Sequence, residues 1–272
     1  MNRVSNSVLM VLMTLGAAQA QLTPFEVYKL ASVGDKAAIQ RLTALGQAGN
    51  AEAEYWLGGM YYLGEGVPKD LAIGIQWYQK AAGKGYSAAR EMLESLPTEL
   101  KLRAGGGDAQ ALAQLKTLAD KGDSQAQSAL GFIYYAGFGV PRDTVQAVYW
   151  YRKAALQGDA YSAASLGDIY ATGDGGMPKD VSEAVSWRKK AAEGGNRSAQ
   201  QSLGEMYAEG TGVPKDLVLA YMWCNLAAAD TFGEVAKMIR DRLEKQMTPD
   251  QIAEAQRLSR EWKPKEESAK KQ

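Results

Sequence analysis

The chain repeats a short motif, Leu-Gly-x-x-Tyr, at intervals close to 36 residues. Its four clear copies are separated by 73, 36 and 37 residues, counted between Gly58, Gly131, Gly167 and Gly204. Because the first interval is about twice the other two, a divergent copy is expected between the first and second clear copies. Repeats of this period are typical of solenoids, in which each unit buries its apolar face against its neighbours.

Each clear copy has the pattern of two helices joined by a tight turn. In the first copy, Ala53, Leu57 and Tyr61 are spaced four residues apart and form one apolar stripe of a helix. A glycine-rich turn, a Pro-Lys-Asp or Pro-Arg-Asp sequence and a second apolar stripe with a tryptophan follow. We predict that these tryptophans pack in the core between repeats; they are Trp77, Trp150, Trp187 and Trp223.

The turn residues predict where the helices end and begin. Glycine can adopt the left-handed conformation that terminates a helix, so Gly64 is expected to end the first helix. Pro68 is expected to enter the second helix, where its missing N–H costs nothing. Asp70 is expected near the positive end of that helix.

The complete pattern is similar to that of a known family. The strings Ala-x-x-x-Leu-Gly-x-x-Tyr, Gly-x-Gly-Val-Pro-x-Asp and Ala-x-x-Trp-Tyr-x-x-Ala-Ala-x-x-Gly resemble the Sel-one-like repeat over 51–86 and 124–230. This family is related to the tetratricopeptide repeat. The resemblance implies an all-α, tetratricopeptide-like α/α solenoid, a right-handed superhelix of helix-turn-helix repeats, with a scaffold role. Two copies depart from the pattern, because Arg188 and Cys224 replace the tyrosine that follows the tryptophan elsewhere.

The repeats and the segments between them predict a domain organisation. Clear repeats are predicted over 51–86, 124–159, 160–196 and 197–230, with degenerate repeats over 21–50 and 87–123. Pro97 and the run Gly105-Gly106-Gly107 are expected to break segment 87–107 into short helices. The other predicted parts are a signal peptide over 1–20, capping helices over 231–263 and a disordered charged tail over 264–272.

The first 20 residues have the pattern of a secretory signal. Arg3 precedes an apolar run over 8–18, and Ala18-Gln19-Ala20 fits an A-x-A cleavage site. The apolar run is too short to span a bilayer as a helix. We therefore expect cleavage after Ala20 and export of a soluble chain to the periplasm, with secretion as the alternative.

The composition excludes several kinds of chemistry. The chain has no histidine and one cysteine, so histidine-based acid–base catalysis, Ser/His/Asp triads and His/Cys zinc sites are excluded. We predict no catalytic residue, no cofactor and no metal. Cys224 is expected to be a small buried residue, with a redox or intermolecular role as the alternative.

The charge balance bears on the partners. With 31 basic and 31 acidic residues, the chain has no broad positive field that would attract nucleic acid. We expect no membrane insertion after removal of the signal, and a monomer. The expected partner is a protein or a peptide.

A candidate binding surface follows from the resemblance. If the first helices line the concave side, as in the tetratricopeptide relatives, the face opposite the apolar stripe forms a groove. Aromatic side chains on such a face supply contact area at a small entropic cost. The alternative is that some of these rings complete the core between adjacent first helices. The candidate groove residues are Tyr55, Tyr62, Phe132, Tyr135, Tyr161, Asp168, Gln201 and Glu205.

These features predict a non-enzymatic exported adaptor or scaffold that binds a protein or peptide in the groove. One alternative is a periplasmic immunity protein that neutralises a secreted toxin such as a phospholipase, because similar exported repeat proteins have that role. A third hypothesis is a hydrolase that uses carboxylates with Tyr or Lys groups.

Overall fold

The protein is built from helices joined by short turns. The computed structural model describes residues 22–229 and 233–265, and no β-strand occurs among them, which confirms the predicted all-α fold. The chain separates into two compact units, with the boundary between Glu99 and Leu100; we call them unit 1 and unit 2. The predicted signal peptide over 1–20 lies outside the described residues.

Unit 1 consists of packed helix pairs. Its helices are α1 (Pro24–Ser32), α2 (Lys36–Gln47), α3 (Ala51–Leu63) and α4 (Leu71–Gly83), followed by α5 (Ser87–Gly105), which continues past the boundary. Helices α3 and α4 are the two helices of the first clear repeat and pack against each other. Helix α1 packs on both α2 and α3, and the core between them includes Val27, Leu42 and Leu57.

Unit 2 holds the other three clear repeats. Its helices are α6 (Ala109–Asp120), α7 (Ser124–Ala136), α8 (Thr144–Leu156), α9 (Ala160–Thr172), α10 (Val181–Glu193), α11 (Arg197–Glu209), α12 (Leu217–Ala227), α13 (Glu234–Glu244) and α14 (Pro249–Glu261). The pairs α7–α8, α9–α10 and α11–α12 are the repeats. Within this unit, α8 packs on α9 and α10 packs on α11, so the second helix of one repeat contacts the first helix of the next.

An aspartate caps the second helix of every clear repeat. Its carboxylate accepts a hydrogen bond from a backbone N–H of the first helical turn, at 2.9–3.0 Å. The four capping residues are Asp70, Asp143, Asp180 and Asp216. This bond satisfies a donor that has no partner within the helix. The prediction for Pro68 was wrong: it lies in the turn, two residues before the cap, because the aspartate already occupies the position at which the helix starts.

The same aspartate closes the turn through its backbone N–H. This group donates at 2.8–2.9 Å to the carbonyl of the motif tyrosine, which is Tyr61, Tyr134, Tyr170 or Tyr207. As predicted, Gly64 ends α3 in the left-handed conformation, with φ of +83°. The repeat with an extra turn residue forms a 3₁₀ turn, Asp174–Gly176, and keeps the bond to Tyr170 at 2.8 Å.

At the motif glycine, a side chain of the second helix lies directly on the backbone of the first helix. The residue after the tryptophan occupies this place in each repeat: Tyr78 on Gly58, Tyr151 on Gly131, Arg188 on Gly167 and Cys224 on Gly204. A Cβ added to Gly58 would lie 2.6 Å from Cδ1 of Tyr78, which is too close for two carbon atoms that are not bonded. The absence of a side chain therefore sets the distance between the helices.

A core position was predicted for all four tryptophans, and the structure confirms it for three of them. Trp150, Trp187 and Trp223 are 4–7% exposed, whereas Trp77 is half-buried at the edge of the unit 1 core. A lysine covers the ring in three repeats, with Nζ 4.0–4.9 Å from the ring centroid; these lysines are Lys80, Lys153 and Lys190. Each lysine stabilises the position of the ring through a cation–π contact, while its charged group stays in water.

Segment 87–107 does not break into short helices, contrary to the prediction. Helix α5 continues from Ser87 to Gly105 with Pro97 inside it. Its buried side chains Leu96, Leu100 and Ala104 lie four residues apart on one face. A proline removes one backbone hydrogen bond, and the burial of this apolar stripe outweighs that loss.

The C-terminal helices cover the end of unit 2. Helices α13 and α14 both pack on α12, and a capping box of Thr248 and Gln251 starts α14. Of the predicted tail over 264–272, the first two residues are described, and the second of them, Lys265, is held at Glu193. Its backbone N–H donates to the Glu193 carbonyl at 2.9 Å, and its Nζ lies 2.7 Å from Oε2 of that residue. Residues 266–272 lie outside the described part of the chain.

The contact at the motif glycine predicts a large difference between two glycine-to-alanine substitutions in unit 1. Gly58→Ala should lower the free energy of unfolding by about 1–3 kcal/mol, because the new methyl group overlaps the Tyr78 ring. Gly83→Ala is the control, since nothing lies within 4 Å of its added Cβ, and it should raise stability by up to about 1 kcal/mol. Urea unfolding followed by circular dichroism measures both, and equal effects would contradict this account.

Candidate partner-binding surface

Tyr55 lies in a cluster of aromatic rings on unit 1. Its ring centroid is 5.0 Å from that of Trp56 and 5.1 Å from that of Tyr86. Trp56 lies 4.6 Å from Tyr28 and 4.9 Å from Phe25 by the same measure. Phe25 is 38% exposed and the other four are half-buried, so the cluster is open to solvent. We call these five residues the aromatic surface.

Three segments of the chain supply the aromatic surface. Phe25 and Tyr28 are three residues apart on α1 and therefore share a face of that helix. Tyr55 and Trp56 lie on α3, and Tyr86 immediately precedes α5. The packing of α1 on α3 brings the first two pairs together.

Two glutamates lie beside these rings. Glu52 accepts a hydrogen bond from Nε1 of Trp56 at 3.3 Å, and Glu65 accepts one from the Tyr28 hydroxyl at 2.7 Å. Burial and the bond to Glu65 raise the pKa of Tyr28 to about 12. Burial and the charge of Glu52 also raise the pKa of Tyr86. Both tyrosines are thus held in the protonated form, as hydrogen-bond donors.

A buried tyrosine lies beneath the aromatic surface. Tyr78 is 3% exposed and its ring centroid is 5.6 Å from that of Tyr55. A Cβ added to Gly59 would lie 3.5 Å from the Tyr78 hydroxyl oxygen. Burial raises the pKa of Tyr78, so its hydroxyl stays protonated. The hydroxyl lies next to the backbone of Gly59, which has no side chain to cover it.

Tyr62 does not belong to the aromatic surface, contrary to the prediction. Its side chain is 1% exposed and its ring lies 6.1 Å from that of Tyr78. The reason is the close approach of α4: a Cβ added to Gly74 would lie 3.0 Å from the Cβ of Tyr62. The ring is therefore part of the core, as the alternative stated, but it packs against the second helix of its own repeat, whereas the alternative placed it between adjacent first helices.

The candidate rings of unit 2 lie apart from one another. Phe132 is half-buried, with Nζ of Lys101 4.9 Å from its centroid and Phe138 6.1 Å away. Tyr161 is 50% exposed and lies 6.2 Å from the buried Tyr151. In the described part of unit 2, neither ring stacks on the other. Phe132 and Tyr161 therefore do not form one continuous aromatic surface.

Tyr135 is held by a polar cluster at the turn. The Tyr135 hydroxyl donates to Oδ2 of Asp174 at 2.8 Å, and Nε of Arg142 donates to the backbone carbonyl of Tyr135 at 3.0 Å. Arg142 also pairs with Asp174, with Nη2 2.5 Å from Oδ2. The hydrogen bond from Tyr135, together with the charge of Arg142, lowers the pKa of Asp174. The hydroxyl that the prediction assigned to a partner is therefore occupied within the chain.

The polar candidates pair with nearby side chains. Asp168 is exposed, and its Oδ1 lies 3.0 Å from Nη2 of Arg188, the residue that replaces the tyrosine on the motif glycine. Nε2 of Gln201 donates to Oε1 of Glu205 at 3.1 Å on the same helix. The three candidates thus lie on the first helices α9 and α11 of unit 2, each in a polar contact within the chain.

Four residues of the aromatic surface were missing from the sequence prediction: Phe25, Tyr28, Trp56 and Tyr86. Two signals pointed to the first three, and none pointed to Tyr86. Phe25 and Tyr28 have helical spacing, and Trp56 follows the predicted Tyr55. Neither signal reveals that α1 packs on α3, and this contact joins the rings.

Residues 22–229 and 233–265 contain no group of three or more His, Cys, Asp or Glu side chains placed to hold a metal ion. The same residues include no helix with the length and apolarity needed to cross a membrane. Cys224 is 0% exposed, and burial raises its pKa to about 12, which confirms that it is a buried core residue.

Comparison with known proteins assigns the family. The family model described as Sel1 repeat matches residues 51–86, 124–159, 160–196 and 197–231, together more than half of the chain. The chain belongs to the Sel1 repeat family. Each matched segment contains one of the helix pairs described above, so the resemblance inferred from the motif is confirmed.

Several proteins are similar to parts of this Sel1 repeat protein. The chitin synthase regulator SKT5 of Malassezia restricta is 28% identical over 149 residues, which are 53% of this chain and 10% of that protein. The ERAD-associated E3 ubiquitin-protein ligase component HRD3A of Arabidopsis thaliana is 40% identical over 62 residues, 22% of this chain and 9% of that protein. The chain thus spans about a tenth of the length of these relatives. The crystal structure of a Sel1 repeat protein from Oxalobacter formigenes is 40% identical and covers 48% of this chain and 97% of its own, with a TM-score of 0.44.

The different burial of two candidate tyrosines predicts different effects on stability. Tyr62→Ala should lower the free energy of unfolding by about 3–5 kcal/mol, because it empties the space of a fully buried ring. Tyr161→Ala should change it by less than about 1 kcal/mol, because half of that side chain is in water. Thermal and urea unfolding measure both, and a stable Tyr62→Ala variant would contradict the placement of this ring in the core.

The burial of Cys224 predicts an unreactive thiol. Because burial raises its pKa to about 12, the thiol stays protonated at neutral pH and gives little of the thiolate that reacts with disulfide reagents. Ellman's reagent at pH 8 should modify the native protein negligibly and modify it fully in guanidinium. Cys224→Ala is the blank, and rapid labelling of the native protein would show that the site is open.

Proposed function

We propose that this Sel1 repeat protein is a non-enzymatic, exported adaptor that binds a protein or peptide partner through the first-helix side of its repeats. The aromatic surface of unit 1 is the principal contact. The candidate positions of unit 2, Tyr161 and Asp168 among them, contribute polar and aromatic contacts of their own.

The observation that carries this proposal is that five aromatic rings contact one another while remaining open to solvent. Their centroids are 4.6–5.1 Å apart at successive contacts. Contiguous exposed apolar surface of this kind marks sites of association in soluble proteins. Tyrosine and tryptophan are enriched among the residues that dominate binding energy, because they add large rigid area with a polar group at the edge.

The residue types support a role without catalysis. The chain has no histidine, and its one thiol is buried with a raised pKa. Membership of the Sel1 repeat family fits a partner-binding role, and the names of the two curated relatives describe a regulator and a component of larger systems. A repeat fold alone does not define a function, so the open rings carry the argument for this chain.

Export is part of the proposal and rests on the amino-terminal sequence. The apolar run over 8–18 and the Ala18-Gln19-Ala20 site favour cleavage after Ala20. Intact mass measurement of the protein from the periplasmic fraction should give a chain that starts at Gln21. An uncleaved chain that stays in the cytoplasm would contradict export and leave the binding proposal intact.

Affinity capture with the mature chain tests partner binding. Wild-type protein should capture one dominant protein from the envelope fraction, identified by mass spectrometry. Phe25→Ala/Tyr55→Ala should lose it, because two rings of the aromatic surface are removed. Tyr149→Ala is the matched control, since this ring is 48% exposed on the second helix α8, outside the surface.

The outcomes distinguish the functional hypotheses. Equal capture by the wild type and by a folded Phe25→Ala/Tyr55→Ala variant would refute the aromatic surface as the contact. If the captured protein is a toxin and loses its toxicity on binding, the immunity role replaces the adaptor role. Circular dichroism of each variant shows whether the helices are intact.

A further inference from the structure

The aromatic surface is no longer than a short extended peptide. The centroid distances from Phe25 to Trp56, from Trp56 to Tyr55 and from Tyr55 to Tyr86 are 4.9, 5.0 and 5.1 Å. An extended chain advances about 3.3 Å per residue, so three contacts of this size span at most about four or five residues.

The charges beside the rings are acidic and unbalanced. Glu52 is hydrogen-bonded to Trp56 and Glu65 to Tyr28, and neither glutamate forms an ion pair with a lysine or arginine of the described chain. Lys29 lies at one edge, with its Nζ 4.4 Å from the Phe25 centroid. Two carboxylates therefore lie beside the aromatic surface without a lysine or arginine of the described chain paired to them.

This charge pattern selects the kind of ligand. A neutral ligand that covered Glu52 and Glu65 would remove two carboxylates from water without compensation, which is unfavourable. A lysine or arginine side chain supplies the opposite charge and also binds favourably to aromatic faces. Unit 1 already contains such a contact, since Nζ of Lys80 lies 4.0 Å from the Trp77 centroid.

We propose that the aromatic surface binds an extended, cationic peptide segment of the partner, with lysine or arginine side chains directed at Glu52 and Glu65. The apolar part of that segment lies on Trp56 and Tyr55. The inference rests on the proposed function and adds the conformation and charge of what is bound.

Peptides that differ only in charge test the proposal. The probes are fluorescein-labelled peptides of alternating lysine and proline, glutamine and proline, or glutamate and proline, because proline keeps each of them extended. Fluorescence anisotropy with the full mature chain should show the lysine peptide binding at least about tenfold more tightly than the glutamine peptide. The glutamate peptide should not bind, and added salt should weaken the lysine peptide most.

Two pairs of glutamine substitutions locate the charge effect. Glu52→Gln/Glu65→Gln should weaken binding of the lysine peptide at least about fivefold and leave binding of the glutamine peptide no weaker than to the wild type, because the two carboxylates no longer have to lose their water. Glu91→Gln/Glu94→Gln is the matched control, because it removes the same charge from exposed positions of α5 in unit 1. Its effect on the lysine peptide should be less than about twofold.

The results separate failure of this inference from failure of the proposed function. Equal affinity for the three peptides, or equal effects of the two glutamine pairs, would overturn the inference. If no peptide binds while capture of the natural partner still depends on Phe25 and Tyr55, the inference fails and the proposed function stands. Binding of chitohexaose, a neutral sugar, with the same dependence on these rings would replace both with a glycan site.

Discussion

The approach of two helices at the motif glycine is the contact on which every clear repeat depends. Because Gly58 and its counterparts have no side chain, the residue after the tryptophan lies directly on the first helix. The glycine sets the spacing, so the residue on it can vary: Tyr78 and Tyr151 in two repeats, Arg188 and Cys224 in the others. Only the chemistry at the edge of the contact changes, from a buried hydroxyl to a surface ion pair or a buried thiol.

The turn between the helices is held by the backbone, and this makes it tolerant of change. The bond from the aspartate N–H to the tyrosine carbonyl keeps its length in the repeat whose turn contains an extra residue. Asp174 of the longer turn accepts a hydrogen bond from the Tyr135 hydroxyl and pairs with Arg142. Glu65, at the same position in the turn of the first repeat, accepts one from the Tyr28 hydroxyl, so this kind of contact does not depend on the extra residue.

The two units use their aromatic residues differently, although both are built from the same repeat. In unit 1, Tyr55 contacts Trp56, and Trp56 contacts the rings of α1, so their exposed areas form one surface. In unit 2, Phe132 lies under a lysine and Tyr161 lies over a buried tyrosine. A contiguous apolar surface excludes water from the whole contact area on binding, which separate rings do not. Unit 1 is for this reason the stronger candidate for an interface.

The amino-acid sequence determined the repeats, their helix pairs, the buried tryptophans and the burial of Cys224, because helical periodicity and capping are local properties of the chain. Tertiary structure decided the rest. By helical position, Tyr55 and Tyr62 were equivalent candidates on α3, yet α4 approaches at Gly74 and covers Tyr62 alone. Pro97 stays within a helix because the stripe that contains Leu96 and Leu100 is buried. A local pattern defines the faces of a helix, and contacts between distant segments decide which of those faces remain open.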